Sequence, residues 1–354
     1  AVGLWAVSGA TRFAVAGNAS YYLDRQMVYA GVGAVLLVIA TFVDPDIYRR
    51  YWKVVFIGTT TLIAFVFVVG HAARGSTRWI NVGFFTFQPS EFGKLAFVLA
   101  LAGFLADRAR GDVGTTLRAL GIGAIPVVLV FAQPDLGTAL VYLVALGAML
   151  FVGGVPWRQL SVLGTIVVLV VVGVLWAGPA VGVNFLKGYQ QARLTCFVHP
   201  SQCSDQDTRY NLEQSIVAVG AGQVSGRGVN NATQTNLNFL PEHGTDFVFA
   251  SYSEQRGFAG ASLLLALYLL VLWRALRIVS VARDFYSAIV AGGIVIGLLF
   301  QIFVNVGMTM GIAPITGIPL PFVSVGGSSM IANLAAMGVL LAIYARGRAA
   351  RRRR

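Results

Sequence analysis

Long apolar runs alternate along this chain with short polar segments, and the runs have the length of membrane helices rather than of buried core elements. Crossing a bilayer takes about 20 consecutive apolar residues in helical form. By that measure spans are expected near residues 26–43, 53–71, 89–106, 117–132, 136–152, 158–177, 246–273, 284–311 and 323–346. An incomplete run over residues 1–12, opening on Ala1 rather than Met, brings the number to about ten and predicts a first span truncated at its start. The longest polar interval, residues 178–245, reads as one large loop between the seventh and eighth complete or partial spans. The expected fold is an all-α polytopic membrane protein with a single transmembrane domain over residues 1–354.

Hydrophobic residues make up 57% of the chain and charged residues 11%, against roughly 25% charged in soluble domains. Mean hydropathy is +0.75, which excludes a soluble enzyme. The net charge of +12 does not indicate nucleic acid, because the basic residues lie between apolar runs, as they do in positive-inside loops. With a cytoplasmic C-terminus, sixteen fall on the inner side: Arg49, Arg50, Lys53, Arg108, Arg110, Arg118, Arg158, Arg274, Arg277, Arg283 and the six arginines from Arg346 to Arg354. Eight fall outside: Arg12, Arg25, Arg74, Arg78, Lys187, Arg193, Arg209 and Arg227. This asymmetry makes residues 178–245 extracellular and residues 346–354 a basic cytoplasmic tail suited to anionic membrane lipid.

Ionisable residues at the rim of a span are costly to desolvate and mark functional positions. Asp246 is such a residue, closing the polar run that holds Glu242 just where the eighth span begins. Glu91 and Lys94 stand three apart at the start of the fourth span, on one helix face where they can pair; a packing ion pair and a substrate-lining role are both open. Upstream lie Arg78, Trp79 and Gln88, and Pro89 with Glu91 suits a helix start. Asp135 sits in the tight turn Gln133–Thr138, on the same side as Asp246. The apolar stretch Gln214–Gly220 leads into Gly226-Arg227-Gly228, a weak candidate for an anion cradle. Pro314, Gly317, Pro319 and Pro321, followed by Ser324, Gly326, Gly327, Ser328 and Ser329, predict irregular backbone at membrane depth, which is tolerated where it lines a wet cavity.

Both cysteines, Cys196 and Cys203, lie in the outer loop, where an oxidising compartment favours a disulfide over two free thiols. The histidines His71, His199 and His243 are far apart in sequence and form no compact ligand set, so no metal site is assigned, although a divalent cation remains open as a cofactor.

Taken in order, the segments Arg78-Trp79-Ile80 to Lys94, Gln133 to Thr138, Gln214 to Gly228, Leu240 to Phe249 and Asn305 to Ser329 resemble the SEDS (shape, elongation, division and sporulation) family of polytopic peptidoglycan glycosyltransferases. Thr233-Gln234 followed by Phe239-Leu240-Pro241-Glu242 is more similar to the elongation branch than to the division branch. The resemblance implies polymerisation of lipid II with a lipid-linked glycan strand at the outer face of the bacterial cytoplasmic membrane. It also implies a class B penicillin-binding protein as transpeptidase partner, Asp246 as the catalytic aspartate, and Arg78, Glu91, Lys94 and Asp135 as polar residues of a central cavity. The chain departs from the family pattern at Tyr210-Asn211 (usually Tyr-Gln), at Glu254-Gln255-Arg256-Gly257 (usually Glu-Glu-Leu-Gly) and at Val325 (usually Tyr). None of these touches Asp246; Arg256 puts family contacts at its position in question.

Under that resemblance the expected chemistry is attack by a sugar 4-hydroxyl on an anomeric carbon, with loss of polyprenyl diphosphate. Asp246 is the expected general base, and Arg78, Lys94, Arg193 and Arg227 are the cations that would meet the leaving diphosphate. With one strong carboxylate candidate, single-displacement inversion is favoured over a two-carboxylate retaining scheme, which Asp135 or Glu91 as a second acid keeps open. Two rival functions use the same features: a transporter of lipid-linked precursor, and a non-catalytic scaffold for a transpeptidase.

Overall fold

The computed structural model describes residues 2–15, 17–73, 76–83, 85–173, 188–198, 203 and 205–352. Ten helices correspond to the ten expected spans. They are α1 (Val2–Ala10), α2 (Tyr21–Phe42), α4 (Trp52–Val69), α5 (Pro89–Ala106), α6 (Val113–Ala132), α7 (Leu136–Val152), α8 (Trp157–Val172), α12 (Val248–Val281), α13 (Phe285–Thr309) and α14 (Gly327–Arg352). Seven of these are long and apolar enough to cross a membrane, and α7 and α8 are shorter apolar helices. Short α3 (Pro45–Arg50) follows α2, with Asp44 as its N-cap. The interval expected as one long loop contains α9 (Gly188–Val198), α10 (Gln206–Ala221) and α11 (Thr233–Asn236); residues 178–187 lie outside the described residues.

Burial ranks the helices. The most apolar windows of α5, α13 and α14 are 72%, 72% and 67% buried, whereas those of α2 and α4 are 11% buried. The first three are therefore the centre of the bundle, and α2 and α4 cover it, α2 lying along α14 and α4 along α5. The core joins Phe97, Leu101, Tyr142, Met149, Phe249, Ile289, Val295 and Leu340 across these helices.

Two boundaries differ from the periodicity reading. Helix α12 runs on to Val281, so Arg274 and Arg277 are helical, their guanidinium groups 5.4 and 4.1 Å from the ring centroid of Trp273. The expected basic tail is likewise helical as far as Arg352. Arg346 donates to Val43 O at 2.7 Å and pairs with Asp44, and Arg351 donates to Ser280 O, so charge there fastens α14 to its neighbours.

A three-stranded antiparallel sheet, β1 (His71–Ala73), β2 (Ser76–Val82) and β3 (Phe85–Phe87), interrupts the helices before α5. Ile80 pairs with Phe87 and Val82 with Phe85, so the chain doubles back and enters α5 at Pro89. The sheet brings Arg78 and Trp79 on β2 over the start of α5.

Candidate active site

Four helices begin at one place. Residues from the first turn or N-terminal flank of α5 (Gln88, Glu91), α7 (Asp135, Thr138), α12 (Thr245, Asp246) and α14 (Gly326, Gly327, Ser328, Ser329) line a single cavity of about 290 Å³, closed over by Arg78 and Trp79 from β2. Helix N-termini carry unsatisfied N–H groups and the positive end of the helix dipole, so a cavity at their meeting point suits an anion.

Sequence explains why the helices start here. Pro89 takes the first turn of α5, where its missing N–H costs nothing. Asp135 caps α7, its Oδ1 accepting from Thr138 N at 3.1 Å. Asp135 is 2% exposed, and a carboxylate this buried needs partners. Gln88 Nε2 donates to its Oδ2 at 3.1 Å, and Arg78 Nη1 lies 3.3 Å from its Oδ1. Arg78 also lies over Trp79, 4.5 Å from the ring centroid, which fixes the guanidinium above the cavity.

Ser328 ties two walls together: Gln88 N donates to its Oγ at 2.9 Å and the hydroxyl donates to Thr86 O at 3.1 Å. The opposite wall is the irregular segment between α13 and α14. Ser324 Oγ donates to Thr245 O at 2.6 Å and accepts from Leu320 N at 2.8 Å, while Val325 N donates to Gly244 O. Asn305 donates to the carbonyls of Asp246 and Ile318. Gln26, fully buried on α2, donates to Ser324 O and accepts from Gly326 N. Gly317 has φ +73°, and a Cβ placed on it would lie 3.5 Å from Asp246 Oδ2 and 3.8 Å from Arg193 Nη1. Asp246 and Arg193 on α9 therefore approach the same point of the wall.

Of the residues singled out from sequence, Asp246, Arg78, Trp79, Gln88, Glu91, Asp135 and Ser328 line this cavity, and Arg193 stands beside Asp246. Lys94 lies below it, bonded to Glu91 and to Gln301 Oε1 at 2.9 Å and bordering a separate small void of about 40 Å³. Ser324 and Glu242 act on the backbone around Asp246: Glu242 Oε2 accepts from Thr245 Oγ1 at 2.8 Å, and Glu242 O accepts from Thr245 N and Phe247 N. Arg227 is elsewhere and exposed, donating to Ala221 O and Thr233 Oγ1. Gly226 beside it serves close backbone packing, since a Cβ there would meet Gln255 O at 2.3 Å. Cys196 and Cys203 are joined in a disulfide.

Sequence reasoning passed over Asn305 and Gln26. Their signal was a lone amide within an otherwise apolar helical run, which in a membrane span demands a partner. Among the described residues no three His, Cys, Asp or Glu side chains converge to hold a metal ion.

Comparison with known proteins identifies the family. The model of the FtsW, RodA and SpoVE cell-cycle proteins matches residues 1–349. Peptidoglycan glycosyltransferase MrdB of Escherichia coli K12 is 35% identical over 325 residues, 91% of this chain and 85% of that protein. A structure solved in work on the coordination of polymerization and crosslinking by a peptidoglycan synthase complex superposes with a TM-score of 0.80 at 30% identity, covering 97% of this chain and 96% of the other. Thermus thermophilus RodA superposes with a TM-score of 0.69 at 27% identity, over 97% and 94% of the two chains. A match over nearly the whole length, with a multi-pass helical fold, makes this chain a member of the FtsW/RodA/SpoVE family of cell-cycle proteins, the SEDS family.

Proposed function

We infer that this chain is a peptidoglycan glycosyltransferase of cell elongation, polymerising lipid II at the outer face of the cytoplasmic membrane. The observation that carries the reading is one cavity lined by both Asp246 and Arg78 at the convergence of four helix N-termini. The naming of relatives as peptidoglycan glycosyltransferases supports the activity.

Asp246 takes the proton from the 4-hydroxyl of the acceptor sugar as its oxygen bonds to the donor's anomeric carbon. The bond from that carbon to the diphosphate breaks in the same displacement, inverting the centre. A positioned base contributes on the order of 10² to 10⁴ in rate. Charge gathering on the departing diphosphate is met by N–H groups at the starts of α5, α7 and α14 and by Arg78, fixed donors that need no reorganisation. Arg193, beside Asp246, is the further cation within reach of the cavity mouth. Lys94 acts from below through Glu91.

A class B penicillin-binding protein is the proposed partner, supported by the solved relative's place in a complex of polymerization and crosslinking. The exposed apolar faces of α12 and α13, with Leu269, Leu270, Trp273, Leu299 and Phe303, are the proposed seat of its membrane helix.

Purified protein with its partner and lipid II should yield glycan polymer, and Asp246→Asn none. Normal polymerisation by that variant would remove Asp246 from the role of base. Wild-type protein that moves lipid II across vesicles without polymerising it would make this a transporter.

A further inference from the structure

Helix α9 carries Arg193 to the Asp246 cavity, and it is short. It has 11 residues, fewer than the ~12–15 below which an isolated helix is marginal in water. Its buried residues are Gln190 and Cys196, on the same side of the helix as Arg193 at spacings of three. Helix α10, by contrast, is firmly seated: Ala218 is fully buried, and Ser215 Oγ donates to Thr309 O at 2.9 Å at the end of α13. Cys203 stands two residues before Asp205, the N-cap of α10, whose Oδ2 accepts from Thr208 Oγ1 at 2.6 Å. The disulfide between Cys196 and Cys203, seven apart in sequence, thus links the last turn of a short helix to the start of an anchored one.

We propose that this disulfide is a positioning element for catalysis, holding the Arg193 guanidinium beside Asp246, at the point both approach at Gly317. The proposal rests on the assignment of Asp246 as general base. Cys196 lies one turn beyond Arg193, so movement of the last turn of α9 shifts the guanidinium directly. Loss of the tether lets α9 fray and withdraws the cation from where the sugar and diphosphate must sit. A displacement of about 1 Å in a positioned group can cost as much as 10²-fold in rate.

The test is a mutant cycle on the full-length protein with its transpeptidase partner: wild type, Cys196→Ser/Cys203→Ser, Arg193→Ala and the triple variant, each assayed for lipid II polymerisation. The cysteine pair and Arg193→Ala should each lower kcat/KM by roughly tenfold, and the triple variant should fall no further than Arg193→Ala alone, because residues acting as one unit do not add. Losses that multiply to about a hundredfold would mean two independent effects and would overturn the proposal. So would an Arg193→Ala enzyme with wild-type kinetics, or unreduced wild-type protein in which both thiols are free to alkylation. Asp246→Asn, assayed alongside, separates the two readings. If it polymerises, the base assignment fails whatever the cycle gives; if it is inactive while the losses multiply, only the tether fails.

Discussion

Asn305 holds Asp246 by a hydrogen bond that is one of a pair: its side-chain amide donates to Asp246 O at 2.9 Å and to Ile318 O at 2.8 Å. One buried side chain on α13 thereby sets the spacing between the segment that carries Asp246 and the opposite wall of the cavity. Asn305→Asp keeps the volume but turns a double donor into an acceptor facing two carbonyls. Each buried carbonyl left unpaired costs about 1–3 kcal/mol. Polymerisation should fall by roughly 10- to 100-fold, chiefly in kcat, with the protein still extractable and monodisperse in detergent. Unchanged turnover in a lipid II assay would show that the spacing is held without Asn305.

Gly317 shapes the surroundings of the Asp246 carboxylate by having no side chain. Its φ of +73° is left-handed backbone, and the nearest atom to an added Cβ is Asp246 Oδ2 at 3.5 Å. A non-glycine residue in that conformation costs about 1–2 kcal/mol. Gly317→Ala should therefore lose activity through backbone shift, its Cβ only reaching contact with the carboxylate, and Gly317→Val, with two further methyls, should lose more. Polymerisation rates for the two variants, with melting temperatures beside them, test the order.

How much of this was legible in the sequence follows from which forces set each feature. The spans were legible because a bilayer imposes length and apolarity on each helix independently of the others. Their ends were less so, since Arg274, Arg277 and Arg346 break hydropathy without breaking the helix, finding partners on Trp273 and Asp44 instead. The cavity residues Asp246, Arg78, Gln88, Glu91 and Asp135 stood out as polar groups at span edges. Arg227 stood out as the cation of a Gly-rich loop, but its placement depends on how α10 packs against α12, and that contact is not encoded locally. The sheet escaped notice because its strands are short and sit among span-like residues. Gln26 on α2, holding the loop before α14 from nearly 300 positions away in sequence, belongs to tertiary structure alone.

The Arg78–Asp135 pair should separate stability from activity. Asp135 is almost wholly buried, while the Arg78 side chain is 22% exposed. Removing the cation from a buried pair typically costs 3–5 kcal/mol, because the remaining charge is uncompensated. Asp135 keeps its bonds from Gln88 and Thr138, so Arg78→Ala should fall toward the low end of that range. Asp135→Asn retains a cap for α7 and should be milder. The double variant should melt above Arg78→Ala yet remain as inactive, since the cation proposed to meet the diphosphate is still missing. Recovery of polymerisation in the double variant would reduce Arg78 to a structural role.

Arg256 stands where the family pattern has leucine, and its position accounts for the exchange. It lies on α12 one residue before Gly257, whose φ of +63° kinks the helix, and its guanidinium is 3.6 Å from the ring centroid of Trp5 on α1. Trp5 in turn meets Tyr252 edge to face at 6.2 Å, so Arg256 extends a stack that clamps α1 to α12 just below the kink. A half-desolvated cation–π contact is worth about 0.5–2 kcal/mol. Arg256→Leu, restoring the family residue, should lower the melting temperature in detergent while leaving lipid II polymerisation within about twofold of wild type, because the contact touches no cavity residue. Trp5→Leu, which also removes the contact with Tyr252, should lose more, and the double variant little more than Trp5→Leu alone, since the Arg256 contact is already gone. A large drop in turnover with Arg256→Leu at unchanged melting temperature would place this arginine in substrate or partner binding instead.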